Sequence, residues 1–280
     1  MTISAFYRTP KAESKPVFYT RMKFPGQEIH VKVSPLPYST KEVRFECNTL
    51  DSEGVIALLL LKDAIERALL PTKVKFFLTL KYFPYARQDR VSEKGEALSV
   101  KVMADLINSM KFKQVTVWDP HSDVVSSLLN NVEIVSQAEL VGKVFQIPTY
   151  RDHLMLVSPD VGASKKINSF AGALPVVIAN KKRDTATGRI SGVEILKGSS
   201  FEETRNLLVV DDICDGGRTF IELGKLLREK WTDNTIGLYV THGIFSNPEG
   251  FKELRSLYTD ILVANYIGPE ELWGKVTHLK

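Results

Sequence analysis

Apolar positions along this chain fall into two alternating kinds of run. Leu58, Leu61, Ile65, Ala68 and Leu69 recur at helical spacing, and the next stretch, Val74-Lys75-Phe76-Phe77-Leu78-Thr79-Leu80, is short and rich in β-formers. The pattern predicts a helix followed by a buried strand. Leu98, Val102, Leu106 and Met110 lie four residues apart and predict a second helix, with a strand over 115–118 behind it. Further on, the apolar runs at 154–157, 176–179, 207–210, 236–240 and 261–263 read as strands, separated by stretches long enough for crossover helices. Such alternation predicts an α/β protein with two domains, each a mostly parallel sheet flanked by helices. The polar stretch at 137–141 marks the boundary, giving domains 1–140 and 141–280. The first twenty or so residues mix Pro10, Pro16 and several Lys and Ser without a period, and predict an irregular arm over 1–21.

Composition agrees with two ordinary domains. The chain has 280 residues, 44% apolar and 25% charged, which excludes a disordered, collagen-like or coiled-coil chain. The longest unbroken apolar run, 55–61, is far short of the ~20 residues needed to cross a bilayer. The N-terminal MTISAFYRTPKAESK carries no apolar signal core. A soluble, cytoplasmic protein with no membrane partner is expected. The two cysteines, Cys47 and Cys214, form no metal-binding or disulfide pattern and fit a reducing compartment. A net charge of +4, from 37 basic against 33 acidic residues, is too small for a nucleic-acid-binding protein.

Four of the second-half strands run directly into polar residues: 154–157 into Ser158-Pro159-Asp160, 176–179 into Asn180-Lys181-Lys182-Arg183, 207–210 into Asp211-Asp212, and 236–240 into Thr241-His242-Gly243. Ligands of open α/β sheets bind outside the carboxyl ends of the strands, so these turns form the candidate site. The sharpest segment is LLVVDDICDGGRTF, residues 207–220. An apolar strand ends in Asp211 and Asp212, Asp215-Gly216-Gly217-Arg218-Thr219 makes a tight loop, and Phe220 begins an amphipathic helix. Strand, glycine loop and helix N-terminus make a phosphate cradle, because the glycines let backbone N–H groups approach an anion and the helix dipole favours it. The two acids suit sugar hydroxyls, directly or through a divalent metal such as Mg²⁺. Read without that context, the segment is an ordinary capped turn.

This segment resembles the ribose 5-phosphate and diphosphate loop shared by type I phosphoribosyltransferases and ribose-phosphate pyrophosphokinases. KYFPYARQDR at 81–90 resembles the nucleotide-binding signature of the pyrophosphokinases. FPGQE at 24–28, WDPHS at 118–122, VSPDVGASKK at 157–166, NKKR at 180–183 and THGIFS at 241–246 follow in family order, so the resemblance covers roughly residues 22–265. On their own, Arg87 and Arg90 around Gln88 suit phosphates and a base edge, His121 reads as a capping or surface residue, and the KKR run reads as a solvated charge cluster.

The resemblance implies a short-form ribose-phosphate diphosphokinase, which moves the β,γ-diphosphoryl group of ATP to the C1 hydroxyl of ribose 5-phosphate. It implies that Arg87 and Gln88 hold ATP, and that Phe24 and Glu28 reach the adenine from a neighbouring subunit, which requires a homo-oligomer. His121 and Asp160 are expected to place Mg²⁺ on the triphosphate, and Asp211 and Asp212 to meet the ribose hydroxyls, partly through a second Mg²⁺. Asp215, Gly216, Gly217, Arg218 and Thr219 are expected on the 5-phosphate, with Lys181 and Arg183 as the catalytic pair of a basic lid. His242 receives no chemical role. Pro120 stands where many members have an aliphatic residue, and leaves His121 in register. Arg218 looks more like a phosphoribosyltransferase residue, so that activity, or a non-catalytic regulatory homologue, is the alternative. The family's N-terminal strand, loop and helix are largely missing and the C-terminus is short; both regions build the ADP site of regulated members, so weak or absent ADP allostery is expected.

Overall fold

The structure, a computed structural model, describes residues 3–10, 13–183, 190–195 and 206–279. It divides into two compact units, Met1–Val135 and Ser136–Lys280. Both are mixed α/β, with mostly parallel sheets flanked by helices. Among the described residues no helix is long and apolar enough to cross a membrane.

The first unit runs β1 (Ile3–Arg8), β2 (Lys15–Pro16), β3 (Tyr19–Lys23), β4 (Ile29–Val33), β5 (Glu42–Cys47), α1 (Ser52–Leu69), β6 (Lys75–Leu80), α2 (Ser99–Ser109), β7 (Gln114–Trp118), α3 (Asp123–Leu128) and β8 (Val132–Val135). Its six-stranded sheet has the order β2-β1-β5-β6-β7-β8, parallel from β5 to β8 and antiparallel where β1 joins β5. Ile3–Arg8 is therefore a sheet strand and not part of an irregular arm. Six consecutive residues of β1 pair with β5, with Ile3 and Ala5 in the core. The alternation of ISAFYR was too short to stand out beside the prolines and lysines after it. The hairpin β3–β4 lies outside this sheet.

Helix α1 starts where Asp51 Oδ1 accepts a hydrogen bond from Gly54 N at 2.6 Å. Its stripe Val55, Leu58, Leu61, Ile65 and Leu69 is buried. In α2 the buried residues are Val100, Met103, Ala104 and Ile107, while Val102 is 64% exposed. The predicted helix is present, but its inner stripe is not the row through Val102. The helix carries two apolar rows, and the sheet covers the other one. These helices pack with Phe45, Leu78, Leu80, Val115 and Val117 of the sheet. The opposite sheet face carries Arg44, stacked 4.2 Å over the Phe77 ring, and Thr116, bonded to Glu133. Strand β6 is thus buried on one face only, not on both as its apolar run suggested.

The second unit runs α4 (Gln137–Val141), α5 (Pro148–Arg151), β9 (Leu154–Ser158), α6 (Val161–Ala171), β10 (Val176–Arg183), β11 (Ile190–Ile195), β12 (Asn206–Cys214), α7 (Arg218–Lys230), β13 (Ile236–Gly243), α8 (Pro248–Leu257), β14 (Asp260–Tyr266) and β15 (Thr277–His278). The seven-stranded sheet has the order β11-β10-β9-β12-β13-β14-β15 and is parallel except for β10–β11. Phe220, Leu223 and Leu227 of α7 and Phe251 and Leu254 of α8 share a core with Met155, Val157, Val209, Leu238 and Val240. Odd-numbered β12 residues up to Val209 therefore face α7 and α8, and even-numbered ones face away.

Candidate active site

Strands β10, β9, β12, β13 and β14 are parallel neighbours, so their carboxyl ends share one edge of the sheet. From β9 the chain winds outward to β10, and from β12 it winds the opposite way to β13 and β14. The order reverses between β9 and β12, and at such a switch point the two outgoing loops part and leave a crevice. The loops that flank it are Ser158-Pro159-Asp160, after β9, and the segment that ends β12.

Asp160 caps α6, its Oδ1 accepting from Ala163 N at 2.8 Å, and Ser158 Oγ donates to the Asp160 carbonyl at 2.7 Å. Strand β12 continues past its apolar run, through both acids, to Cys214. By alternation Asp211 lies on the face of Val209, towards α7 and α8, and Asp212 on the other. Asp212 is buried, and its N–H donates to Asp211 Oδ1 at 2.9 Å. Burial holds the Asp211 carboxyl well above the usual carboxylate range; the charges of Asp212 and Asp160 push it further the same way.

The loop after β12 is braced from the far end of β13. Ile244 N and Phe245 N donate to the Cys214 carbonyl at 2.8 and 3.1 Å, and Ser246 Oγ donates to Asp215 Oδ1 at 2.5 Å. Gly217 is left-handed, with φ +80°, and a Cβ there would stand 3.0 Å from Leu254 Cδ1. Gly216 faces open space. As the N-cap of α7, Gly217 brings no side chain to the helix's first N–H groups, which therefore point to whatever anion approaches. Arg218 is exposed and Thr219 half-buried in that first turn. His242 is buried in β13 with its Nδ1 3.2 Å from Asn265 Nδ2.

The basic stretch NKKR differs from its expected place. It lies inside β10 rather than beyond the strand, with Lys181 opposite Val193 and Arg183 opposite Ile190 of β11, and an irregularity between Lys182 and Arg183. The rest of the expected lid, 184–189, and the side chains of Lys181 and Arg183 lie outside the described residues.

In the first unit, Phe24 and Glu28 occupy the exposed tip of the β3–β4 hairpin. Phe24 N donates to the Glu28 carbonyl at 2.8 Å, and the Phe24 ring stands 5.9 Å from that of His30. Arg21 and Lys23 tie the hairpin to Glu53 of α1. Arg87 and Gln88 are exposed in the loop after β6, which is pinned by the buried Phe83 and Ala86 and by Val100 N donating to the Gln88 carbonyl at 3.3 Å. His121 is exposed after β7, the parallel neighbour of β6. The two loops meet. Lys81 Nζ lies 4.8 Å from the centre of the Trp118 ring, and the Asp89 carboxyl is held below its usual range by Arg90 first, then by Ser122 and His121. Arg87, Gln88 and His121 therefore share one edge of their sheet, as do Asp160, Asp211, Asp212 and the glycine loop in the second unit. Ser246, the last residue of THGIFS, received no role from the sequence, because its partner lies 31 positions away. Among the described residues, no group of three His, Cys, Asp or Glu forms a ready metal cluster.

No family model matches the chain. The ribose-phosphate pyrophosphokinase of Mycoplasmopsis pulmonis is 27% identical over 234 residues, 82% of this chain and 70% of that protein. The ribose-phosphate pyrophosphokinase of Mycoplasma pneumoniae is 30% identical over 215 residues, 72% of this chain and 61% of that protein. The crystal structure of a phosphoribosylpyrophosphate synthetase from Mycobacterium smegmatis superposes with a TM-score of 0.70 at 19% identity, covering 90% of this chain and 86% of that one, which shows the shared fold.

Proposed function

The chain is a homologue of the ribose-phosphate pyrophosphokinases, a family of transferases, and we propose that it makes 5-phosphoribosyl 1-diphosphate from ATP and ribose 5-phosphate. The C1 hydroxyl of ribose 5-phosphate attacks the β-phosphorus of ATP. That O–P bond forms, the bond from the β-phosphorus to the oxygen bridging it to the α-phosphorus breaks, the hydroxyl proton is lost and AMP leaves. The observation that carries this reading is the reversal of strand order between β9 and β12, where Asp211, Asp212 and the Gly216-Gly217 loop follow β12 beside the end of β9 that carries Asp160.

Each residue's task follows from its place. The N–H groups of the loop and of the first turn of α7, with Thr219, suit the 5-phosphate. Asp211 and Asp212 accept hydrogen bonds from the ribose hydroxyls. Transfer of a diphosphoryl group needs in-line positioning and neutralised charge more than covalent help. Lys181 and Arg183, on the outgoing end of β10, are proposed to supply that charge, and Arg87 and Gln88 to hold ATP. The first unit is thus read as the pyrophosphokinase domain and the second as the phosphoribosyltransferase-like domain. The exposure of Phe24 and Glu28 supports an adenine site completed by a neighbouring subunit, hence a dimer or larger homo-oligomer in the cytoplasm.

The donors fit Mg²⁺. Asp160, Asp211 and Asp212 offer hard carboxylate oxygens, and the carboxylate repulsion that adds to burial in raising Asp211 is what a divalent cation relieves. His121 is the donor proposed in the first unit. Bound there, the cation would neutralise phosphate charge.

The test is incubation with ATP, ribose 5-phosphate and Mg²⁺. Stoichiometric AMP supports the reading. A phosphoribosyltransferase, which Arg218 in the loop would suit, instead consumes the diphosphate with a nitrogenous base and releases no AMP.

A further inference from the structure

An acid inside a phosphate loop is a liability, since a carboxylate repels the dianion the loop is meant to hold. Asp215 is such an acid, one residue before Gly216. Its Oδ1 accepts the Ser246 hydroxyl at 2.5 Å. Ser246 is exposed, but its backbone is not free to wander. Ile244 N and Phe245 N hold the preceding residues to the Cys214 carbonyl, and the Phe245 side chain is buried edge-on to Phe251 at 5.0 Å. Beyond it, α8 presses on the same stretch of loop: a Cβ on Gly250 would lie 2.9 Å from the Gly216 carbonyl oxygen. The segment from 244 to 250 thus engages Cys214, Asp215 and Gly216 in turn, and Gly216 faces open space where a Cβ would project.

We infer that Ser246 is a positioning residue for the phosphate loop: it ties the Asp215 carboxylate to the end of β13, so that the loop presents N–H groups rather than a negative charge to the 5-phosphate. This rests on the ribose 5-phosphate reading of the site and deepens it, because Asp215 then serves through its place in the loop and not as a side-chain ligand. The hydrogen bond is charge-assisted and its donor is pre-set by the anchored backbone, so little ordering cost opposes it.

The experiment is calorimetric titration of ribose 5-phosphate into the full chain without ATP, joined to steady-state kinetics. Ser246→Ala should weaken binding about 10-fold or more, the effect of one hydrogen bond to a charged group. KM for ribose 5-phosphate should rise in step, while kcat and KM for ATP stay within about twofold. Ser246→Thr keeps the hydroxyl and should bind like the wild type. Removing the Asp215 charge in the double variant Ser246→Ala with Asp215→Asn should recover much of the lost affinity, which loss of packing alone would not allow. Unchanged binding in Ser246→Ala, or a double variant weaker than the single one, overturns the tether. A wild-type chain that fails to bind ribose 5-phosphate overturns instead the functional reading beneath it.

Discussion

Asp160 and Asp211 sit at the carboxyl ends of adjacent parallel strands, β9 and β12, where the charge of the first adds to the proton affinity of the second. Because burial, Asp212 and Asp160 all raise the Asp211 carboxyl, the folded chain binds that proton more tightly than the unfolded chain does. Its contribution to ligand-free stability is full below the ordinary carboxylate range and is lost as pH rises towards the raised value. Asp211→Asn should therefore raise the melting temperature at pH 7 by ~2–4 °C, the effect of about 1 kcal/mol in a chain of this size, and by less at pH 4. The same variant should lose ribose 5-phosphate binding, read by calorimetry.

The two loop glycines should separate stability from binding. Gly217→Ala places a side chain at φ +80° and against Leu254, so it should cost about 1–3 kcal/mol in chemical denaturation. Gly216 has neither constraint. Gly216→Ala should stay within about 0.5 kcal/mol of wild-type stability and still weaken ribose 5-phosphate binding, because its methyl group would enter the space proposed for the anion.

Tyr150 offers a control at the far edge of the second sheet. Its hydroxyl donates to Asp260 Oδ2 at 2.6 Å, at the amino end of β14. Tyr150→Phe should cost about 1–2 kcal/mol of stability and leave kcat and both KM values unchanged.

Alkaline pH should destabilise the fold. Burial and the Asp260 charge keep Tyr150 protonated, and burial pushes the Cys47 thiol up to about 12. The unfolded chain gives up these protons earlier, from about pH 9. Stability from these groups is full below that pH and lost as pH rises through the folded values, which urea melts at pH 8 and 10 will measure. Both cysteines are buried, and should resist thiol reagents at pH 8 until the chain unfolds.

Lys181→Ala should lower kcat by about two orders of magnitude or more if its charge meets the transferring group, with ribose 5-phosphate affinity little changed. Near-normal turnover removes Lys181 from the mechanism.

The polar residues at strand ends were legible in the sequence because a buried parallel strand is an apolar run whose end is abrupt. Leu207 to Val210 followed by Asp211 is such an end, although β12 itself goes on to Cys214. Less legible was anything decided by partners distant in sequence. The inner stripe of α2 depends on which of two apolar rows meets the sheet. β1 is fixed by pairing with β5, and its own six residues carry only two core positions. NKKR looked like loop because charge marks solvent; its inclusion in β10 comes from pairing with β11. The Ser246–Asp215 contact joins residues from two different loops, and no local pattern announces it.

The position of β12 has a consequence for how the second unit is made. β12 lies between β9 and β13, yet it follows β10 and β11 in the chain. As the polypeptide leaves the ribosome, β9 and β10 can pair early, but one edge of β9 stays open until β12 has emerged. That edge, from the fully buried strand LMLVS, is an apolar template for pairing with other chains. Completion of the sheet's centre, rather than of its rim, is then the step that both closes this hazard and brings Asp160 and Asp211 together.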